Sequence, residues 1–232
     1  MHITTLLDRP DIEKKDAAII IKVKHFTMTS VERLSSLIDS VRYISSHGIA
    51  GSIVECGVWR GGSMMAAALT LIEEGDTSRD IYLYDTYEGM SLPNDTVDVS
   101  FDNNLASRQL AAEIKGHGIW CEASLKDVES NILSTTYPAK QIHFVQGKVE
   151  NTIPAVLPIK IALLRLDTDW HESTKHELEY LYPLITPGGL LIIDDYGHWK
   201  GARTACDEFF SKLDPPPFLH RIDYTGRIAQ IN

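Results

Sequence analysis

The sequence predicts an α/β protein with a mostly parallel sheet, because short apolar runs alternate with helix-compatible segments. Five runs are rich in β-branched or aromatic residues: SIVEC (52–56), DIYLYD (80–85), QIHFVQ (141–146), KIALLRLD (160–167) and GLLIIDD (189–195). In PFLHRIDYTGRIAQIN, a Thr225-Gly226 turn between two strand-like segments predicts a hairpin that adds antiparallel strands. These observations favour a seven-stranded, mostly parallel sheet with helices on both faces.

Before the first strand, TMTSVERLSSLIDSVRYI predicts an amphipathic helix. Thr29 and Glu32 have the spacing of a capping box. One helical face carries six apolar residues: Val31, Leu34, Leu37, Ile38, Val41 and Ile44. This face could serve the core or a contact between subunits, and the core is favoured. We therefore predict a helical extension over 1–48 and the main domain over 49–232.

Composition restricts the class of protein. A chain of 232 residues with 44% hydrophobic residues is typical of one globular domain. The formal net charge of −10 disfavours nucleic acid and anionic membranes as partners. No apolar stretch approaches a membrane span, and the first residues lack a signal-peptide pattern, so we expect a cytoplasmic protein. The three cysteines form no CxxC pair and predict neither disulfides nor a zinc site.

The first two strands end in residues typical of a ligand site, because open α/β sheets bind ligands beyond the carboxyl ends of their strands. Gly57, Gly61 and Gly62 would let the backbone pass close to a ligand, although they could serve only a tight turn. Asp85, followed by Thr86, is placed to accept hydrogen bonds from ribose hydroxyls. Together these features predict an adenosine-containing ligand.

Two later strands each end in a pair of carboxylates. Asp167 and Asp169 follow one apolar run, and Asp194 and Asp195 follow another. If the strands are neighbours, the acids share one crevice, and their repulsion favours a bound cation. Oxygen ligands predict a hard divalent metal, with Mg2+ favoured over Mn2+ or Ca2+ and zinc disfavoured.

Some polar residues near these acids have more than one interpretation. His171 and His198 are expected to orient a carboxylate or a water rather than to bind metal. Asp169 taken alone could be a helix cap or a solvated loop residue. Residues 91–118 are polar and aperiodic at first, and they could form a mobile flap over the site.

Several motifs together resemble the macrocin O-methyltransferase family. The resemblance runs in order from about residue 30 and rests on GSIVECGVWRGGSMMAAA, DTYEGM, FVQGKVENTIP, LLRLDTDWHESTKHELEYLYPLITPGGLLIIDDY and RIDYTGRI. Enzymes of this family depend on S-adenosylmethionine and Mg2+, and they methylate sugar hydroxyls on macrolides and related natural products. The resemblance implies a class I methyltransferase, Rossmann-like fold and a homo-oligomer.

The same resemblance implies roles for individual residues. Those expected to bind the cofactor are Glu55, Gly57, Gly61, Gly62, Ser63, Asp85 and Thr86. Asp167, Asp194 and Asp195 are expected to hold the metal, with Asp167 also acting as the base. The chain has DTYEGM where the family's macrolide enzymes have a DSFEG type of motif. The sequence of residues 91–118, where acceptors are expected to dock, is particular to this chain. Both departures argue against assuming a macrolide acceptor.

The chemistry agrees with this assignment. A bound Mg2+ can chelate two adjacent acceptor oxygens and lower the pKa of the one to be methylated, and a carboxylate then takes the proton. We therefore predict an O-methyltransferase acting on a small-molecule or glycosylated acceptor. Two alternatives stay open: a glycosyltransferase that uses Asp167-Thr168-Asp169 as its DxD motif, and a methyltransferase fold kept as a binding module.

Overall fold

One seven-stranded sheet organises the protein. The structure is a computed structural model that describes residues 6, 9–113 and 118–232. The strands are β1 (Ser52–Cys56), β2 (Ile81–Asp85), β3 (Ile142–Gln146), β4 (Ile161–Leu166), β5 (Ile185–Ile193), β6 (His220–Arg221) and β7 (Arg227–Gln230). Their order is β3-β2-β1-β4-β5-β7-β6, with only the pairings of β7 antiparallel. The predicted α/β fold class and the terminal hairpin are confirmed.

Helices pack on both faces of this sheet. They are α1 (Lys14–Val23), α2 (Val31–Ser46), α3 (Gly62–Glu74), α4 (Ala106–Ala112), α5 (Leu125–Leu133), α6 (Val149–Thr152), α7 (His171–Leu181) and α8 (Lys200–Phe210). Short 3-10 segments cover Gly118–Trp120, Ala139–Gln141 and Tyr182–Leu184. One hydrophobic cluster joins α1, α2, α3 and α5 to one sheet face, and a second joins α7 and α8 to the other. None of the described helices is both long and apolar enough to cross a membrane.

The predicted amphipathic helix is α2, and its apolar face lies in the core. Leu34, Leu37, Ile38, Val41 and Ile44 are all at most 2% exposed, which agrees with the expected use of this face. The predicted capping box does not form. The helix is capped instead by the Ser30 side chain, which accepts a hydrogen bond from the Arg33 amide at 3.1 Å.

The leading helices share one core with the rest of the described chain, since the cluster that contains α2 also includes residues of α3, β1 and β4. The division into 1–48 and 49–232 therefore stays a prediction about sequence rather than an observed gap in packing.

The strand order reverses beside β1, which pairs with β2 on one side and with β4 on the other. The ladder continues past the strand ends, because the Asp167 amide donates to the Cys56 carbonyl at 2.8 Å. The Asp194 amide likewise donates to the Leu166 carbonyl at 2.9 Å. The residues that follow β1, β4 and β5 are thus held side by side at one edge of the sheet.

Candidate active site at the carboxyl ends of the strands

A cavity of about 440 Å³ opens where the strand order reverses. Most of the predicted site residues line it: Gly57, Ser63, Asp85, Thr86, Asp167, Asp194 and Asp195. Three predicted residues, Glu55, Gly61 and Gly62, are not part of its lining. The cavity therefore lies at the predicted position, but three of the residues predicted for the site do not line it.

On the β1 and β2 side, the Asp85 carboxylate organises the glycine turn. One of its oxygens accepts hydrogen bonds from the Val58 and Trp59 amides at 2.6 and 3.1 Å, and the other accepts from the Tyr87 amide at 2.7 Å. Burial raises the pKa of Asp85, and these backbone bonds partly oppose that shift. Asp85 thus fixes the turn and also faces the cavity.

Gly57 allows β1 and β4 to end close together. Its φ of +82° lies in the left-handed region, and an added Cβ would stand 2.0 Å from the Asp167 carbonyl oxygen. Any side chain here would push the two strand ends apart. This glycine therefore couples the turn after β1 to the position of Asp167.

Gly61 and Gly62 lie outside the cavity lining and pack against other parts of the protein, so the cofactor role expected for them stays a prediction. An added Cβ on Gly62 would stand 2.6 Å from the backbone of Phe26, and the Gly62 amide donates to the Phe26 carbonyl at 2.9 Å. At Gly61 the nearest atoms belong to the Ile132 and Val128 side chains. Both glycines make room for neighbouring segments of the protein.

On the β4 and β5 side, three carboxylates converge. Asp167, Asp194 and Asp195 can each offer one oxygen such that all three oxygens lie within 4.8 Å of one another. The predicted clustering of acids at neighbouring strand ends is therefore seen. One oxygen of Asp195, Oδ2, is buried and has no hydrogen-bond partner.

A buried arginine, Arg165, lies at the centre of this cluster and was not among the predicted site residues. One of its terminal nitrogens donates to Glu55 and to Asp167, each at 2.6 Å. The other donates to Asp194 at 2.5 Å and to the Thr29 hydroxyl at 3.1 Å. Burial alone would lower the pKa of this guanidinium, but the surrounding carboxylates raise it. The sequence contained one signal for this residue, namely an arginine inside an otherwise apolar strand.

Glu55 acts on the cavity only through this arginine. The side chain is completely buried, with one oxygen bonded to Arg165 and the other, Oε2, without a partner. Burial raises the pKa of Glu55 to about 8, and the Arg165 charge only partly offsets it. Direct contact between Glu55 and a cofactor in the cavity is therefore not what the geometry favours.

A second arginine, Arg33 of α2, reaches the same carboxylates. Its guanidinium bonds to Asp194 and also donates to Asp223 at 3.0 Å. The Ser30 hydroxyl donates to the same Asp223 oxygen at 2.7 Å, and the Thr225 hydroxyl donates to the Asp194 carbonyl at 2.8 Å. The expected repulsion among the acids is thus reduced by two internal cations, which the sequence interpretation did not include.

Asp169 and Asp195 form a separate acidic pair. Burial raises the pKa of both carboxyls, that of Asp169 to about 7, and the Asp169 charge raises that of Asp195 further. Two such groups hold a proton between them more readily than they ionise together. Asp169 also has a φ of +69°, so a strained backbone turns it into the cavity.

Residues 91–113 of the predicted flap pack against the helices that follow β4 and β5. Asp98 is 1% exposed and accepts a hydrogen bond from the His171 amide at 2.9 Å, at the first residue of α7. Ser100 forms a bridge with Trp199, and Trp170 donates to the Ser91 carbonyl at 3.0 Å. The segment is a packed irregular wall in this arrangement; residues 114–117 lie outside the described residues.

The two histidines considered above differ in position. His198 lines the cavity, and its Nδ1 lies 3.1 Å from the Tyr224 hydroxyl. His171 does not line it, and its imidazole lies 3.5 Å from the Glu208 carboxylate. Only His198 remains a candidate for contact with a ligand.

Comparison with known proteins decides the family. The family model described as Macrocin-O-methyltransferase (TylF) matches residues 8–230. The chain belongs to this family. It is therefore an S-adenosylmethionine-dependent O-methyltransferase, which removes the support for the glycosyltransferase interpretation of Asp167-Thr168-Asp169.

Two curated relatives carry specific names. The 8-demethyl-8-(2,3-dimethoxy-alpha-L-rhamnosyl)-tetracenomycin-C 4'-O-methyltransferase of Streptomyces olivaceus is 32% identical over 200 residues, covering 86% of this chain and 73% of that protein. The demethyldecarbamoylnovobiocin O-methyltransferase of Streptomyces niveus is 29% identical over the same shares of the two chains.

Solved structures agree with the class I methyltransferase fold. The O-methyltransferase NovP is 27% identical, with a TM-score of 0.75 over 89% of this chain and 82% of that chain. An O-methyltransferase from Bacillus cereus in complex with SAH has a TM-score of 0.58 at 12% identity, over 99% of this chain and 96% of that chain, and supports the fold alone.

Proposed function

We propose that the chain transfers a methyl group from S-adenosylmethionine to a sugar hydroxyl of a natural product or other glycoconjugate, with a bound Mg2+. The observation that carries this proposal is the cluster of Asp167, Asp194 and Asp195 in the same cavity as Asp85 and Gly57. The names of the relatives, which include a rhamnosyl-tetracenomycin and a novobiocin methyltransferase, support a glycosylated acceptor.

The residues present fit a hard divalent cation. The three side chains offer only oxygen, and the buried Oδ2 of Asp195 lacks the partner that a buried carboxylate oxygen normally has. When bound, Mg2+ would polarise the acceptor hydroxyl and make it a better nucleophile. Because Arg165 and Arg33 already bond to Asp194, this carboxylate would share its oxygens between the cation and two guanidinium groups.

Asp167 is the proposed base. Arg165 holds its Oδ2 at 2.6 Å, which leaves Oδ1 to face the acceptor. When bound, S-adenosylmethionine would supply the methyl group from its sulfonium, with the new C–O bond formed as the C–S bond breaks and S-adenosylhomocysteine as the product. The hydroxyl proton passes to Asp167. Arg165 keeps this carboxylate oriented.

The cofactor is proposed to lie over the ends of β1 and β2. Asp85 and Thr86 face the cavity where ribose hydroxyls can donate to them, and Gly57 and Ser63 form the floor beside them. Glu55 supports this floor through Arg165. A cytoplasmic location remains a proposal from the sequence pattern, and a homo-oligomer remains one that rests on the family resemblance.

Calorimetry with S-adenosylmethionine, S-adenosylhomocysteine and a UDP-sugar, each with and without Mg2+, tests the function. We expect binding of the two methyltransferase ligands and none of the UDP-sugar. In thermal unfolding, Mg2+ at a hundred times its Kd should raise stability by about 2.7 kcal/mol. Mg2+ should stabilise Asp194→Asn less than wild type. It should stabilise Asp95→Asn, which changes an exposed acid outside the cavity, as much as wild type. Equal unfolding with chelator and with Mg2+ would remove the metal from the proposal.

A further inference from the structure

The mouth of the cavity carries an unusual concentration of exposed apolar side chains. Nine large hydrophobic residues of the described chain are exposed, and three of them line this cavity or contact a residue that does: Met28 at 56%, Phe101 at 59% and Tyr224 at 54%. Met28 and Tyr224 line the cavity, and Phe101 contacts the rings of Tyr224 and His198. Clustered exposed apolar groups beside a ligand cavity are typical of a binding surface.

The backbone that presents these rings is held by pairing. Ser100, which precedes Phe101, forms a bridge with Trp199, and the Lys200 amide donates to the Val99 carbonyl at 2.8 Å. On the other side, the Gly197 amide donates to the Thr225 carbonyl at 2.9 Å. An added Cβ at Gly197 would stand 1.9 Å from the Tyr224 carbonyl oxygen, so this close approach requires glycine.

The rings themselves meet edge to face. The Phe101 centroid lies 5.5 Å from that of His198 and 6.2 Å from that of Tyr224, with interplanar angles of 59° and 70°. His198 in turn packs at 85° against the buried Trp199 ring. Rings that touch by their edges leave faces open for a further flat group. We propose that Met28, Phe101, His198 and Tyr224 form a subsite for an uncharged planar aromatic group carried by the acceptor.

The charge of the subsite favours such an occupant. The Met28 and Phe101 side chains carry no charge. The neighbouring Lys200 ammonium is bonded to Asn103, and the Arg33 guanidinium is bonded to Asp194 and Asp223. A flat ring would gain stacking and thioether contacts here. The flat ring could belong to an aryl aglycone or to the base of a nucleotide sugar, and the absence of charge on the rings favours the aglycone.

The subsite adjoins the proposed reaction centre. The amides of His198 and Trp199 both donate to the Asp195 carbonyl at 3.0 Å, so one turn of backbone joins the subsite to a proposed metal ligand. This inference rests on the proposed function, because the flat group is assigned to the acceptor whose sugar is methylated. The aromatic group would thus determine which glycosides are held long enough to react.

Binding of two glycosides of one sugar tests the subsite. We would titrate wild type with 4-methylumbelliferyl α-L-rhamnopyranoside and with methyl α-L-rhamnopyranoside, in the presence of S-adenosylhomocysteine. Wild type should bind the aryl glycoside about 10-fold more tightly or better, the size expected for ring stacking plus apolar burial. The double variant Phe101→Ala/Tyr224→Ala should reduce this preference below about 3-fold without changing S-adenosylhomocysteine affinity.

Matched controls are Phe218→Ala and Tyr180→Ala, which remove exposed rings that do not line the cavity. Both should keep the full aryl preference. A third ligand, dTDP-L-rhamnose, distinguishes an aryl aglycone from a nucleobase. If the double variant weakens the binding of dTDP-L-rhamnose more than that of the aryl glycoside, the aromatic subsite stands and the flat group is a nucleobase. Equal binding of the aryl and methyl glycosides by wild type, including no binding of either, overturns the subsite. Failure to bind S-adenosylhomocysteine would instead overturn the proposed function.

Discussion

The two sides of the cavity neutralise their carboxylates by different means. At the ends of β1 and β2, Asp85 accepts three backbone amides from the turns beside it. At the ends of β4 and β5, Asp167 and Asp194 instead accept from the side chains of Arg165 and Arg33. The first arrangement depends on backbone conformation, and the second depends on two particular side chains.

This difference indicates where each side is sensitive to mutation. Backbone donors cannot be removed by a substitution elsewhere, so the Asp85 side depends on the turn that Gly57 permits. Guanidinium donors can be removed singly: loss of Arg165 leaves the buried Glu55 without a partner, and loss of Arg33 leaves the Asp194 carboxylate with Arg165 alone. The β4 and β5 side should therefore respond to mutation more strongly, both in stability and in turnover.

The largest effect should come from Asp167→Asn. An amide at this position bonds poorly to the cation and cannot take the acceptor proton, so turnover should fall about 10²- to 10⁴-fold, the range for a general base. Methyl transfer from labelled S-adenosylmethionine at saturating Mg2+ measures it. Asp169→Asn is the control, because Asp169 lies outside the three-carboxylate cluster and should retain more activity. Recovery of Asp167→Asn in excess Mg2+ would contradict its role as base.

Arg165→Met should show the dependence on one side chain most clearly. It removes the common partner of Glu55, Asp167 and Asp194, and loss of one partner from a buried ion cluster typically lowers the free energy of unfolding by about 3–5 kcal/mol. Urea denaturation measures the change. Arg203→Met, which breaks an exposed pair with Asp207, should stay within about 1 kcal/mol of wild type. A similar small change at Arg165 would mean that solvent already screens the cluster.

On the other side, Asp85→Asn should act mainly on cofactor affinity. It removes a charged acceptor from the proposed ribose site and disturbs the turn, so S-adenosylmethionine binding should weaken by about 1.5–3 kcal/mol. Calorimetry gives this value directly. Asp80→Asn changes an acid at the opposite end of the same strand, where Asp80 bonds to His143, and should leave the affinity unchanged. Equal affinities for both variants and wild type would remove Asp85 from the cofactor site.

The pH dependence of stability in Glu55→Gln tests how the buried carboxyl of Glu55 titrates. The pKa of Glu55 is raised from 4.5 when unfolded to about 8 in the folded protein, so its contribution to stability is fully present below about pH 4.5 and is lost as pH rises through about 8. The variant lacks this titration. Its melting temperature should therefore improve relative to wild type between pH 5 and pH 8. A constant difference across that range would show that Glu55 stays ionised beside Arg165.

The sheet was predictable because its signals are local. The run SIVEC matches β1 residue for residue, and the alternation of strands with helices gave the parallel order. The clustering of Asp167, Asp194 and Asp195 followed from one rule, that the carboxyl ends of neighbouring parallel strands meet. Local pattern and simple sheet geometry thus sufficed for the position of the site.

Long-range partners were not predictable in the same way. Arg33 reaches Asp194 across 161 residues, and no periodicity encodes that contact. Arg165 did carry a signal, since a charged residue in an apolar strand needs partners, but the sequence does not say which ones. Residues 91–105 form no helix or strand, and hydrogen bonds accepted by buried side chains such as Asp98 hold them instead. Gly61 could not be separated from a ligand-facing glycine without the packing of α5.

The contact between Arg33 and Asp223 has a consequence for how the enzyme is made. The two residues lie 190 positions apart, and Asp223 holds the same guanidinium that bonds to Asp194. During synthesis, Asp167, Asp194 and Asp195 leave the ribosome before residues 220–230, which supply Asp223 and strand β7. A nascent chain that has reached residue 200 therefore holds the carboxylates but lacks the neighbour of β5 that fixes them. Pauses in translation before residue 220 would therefore leave an acidic, incomplete sheet edge exposed to other chains.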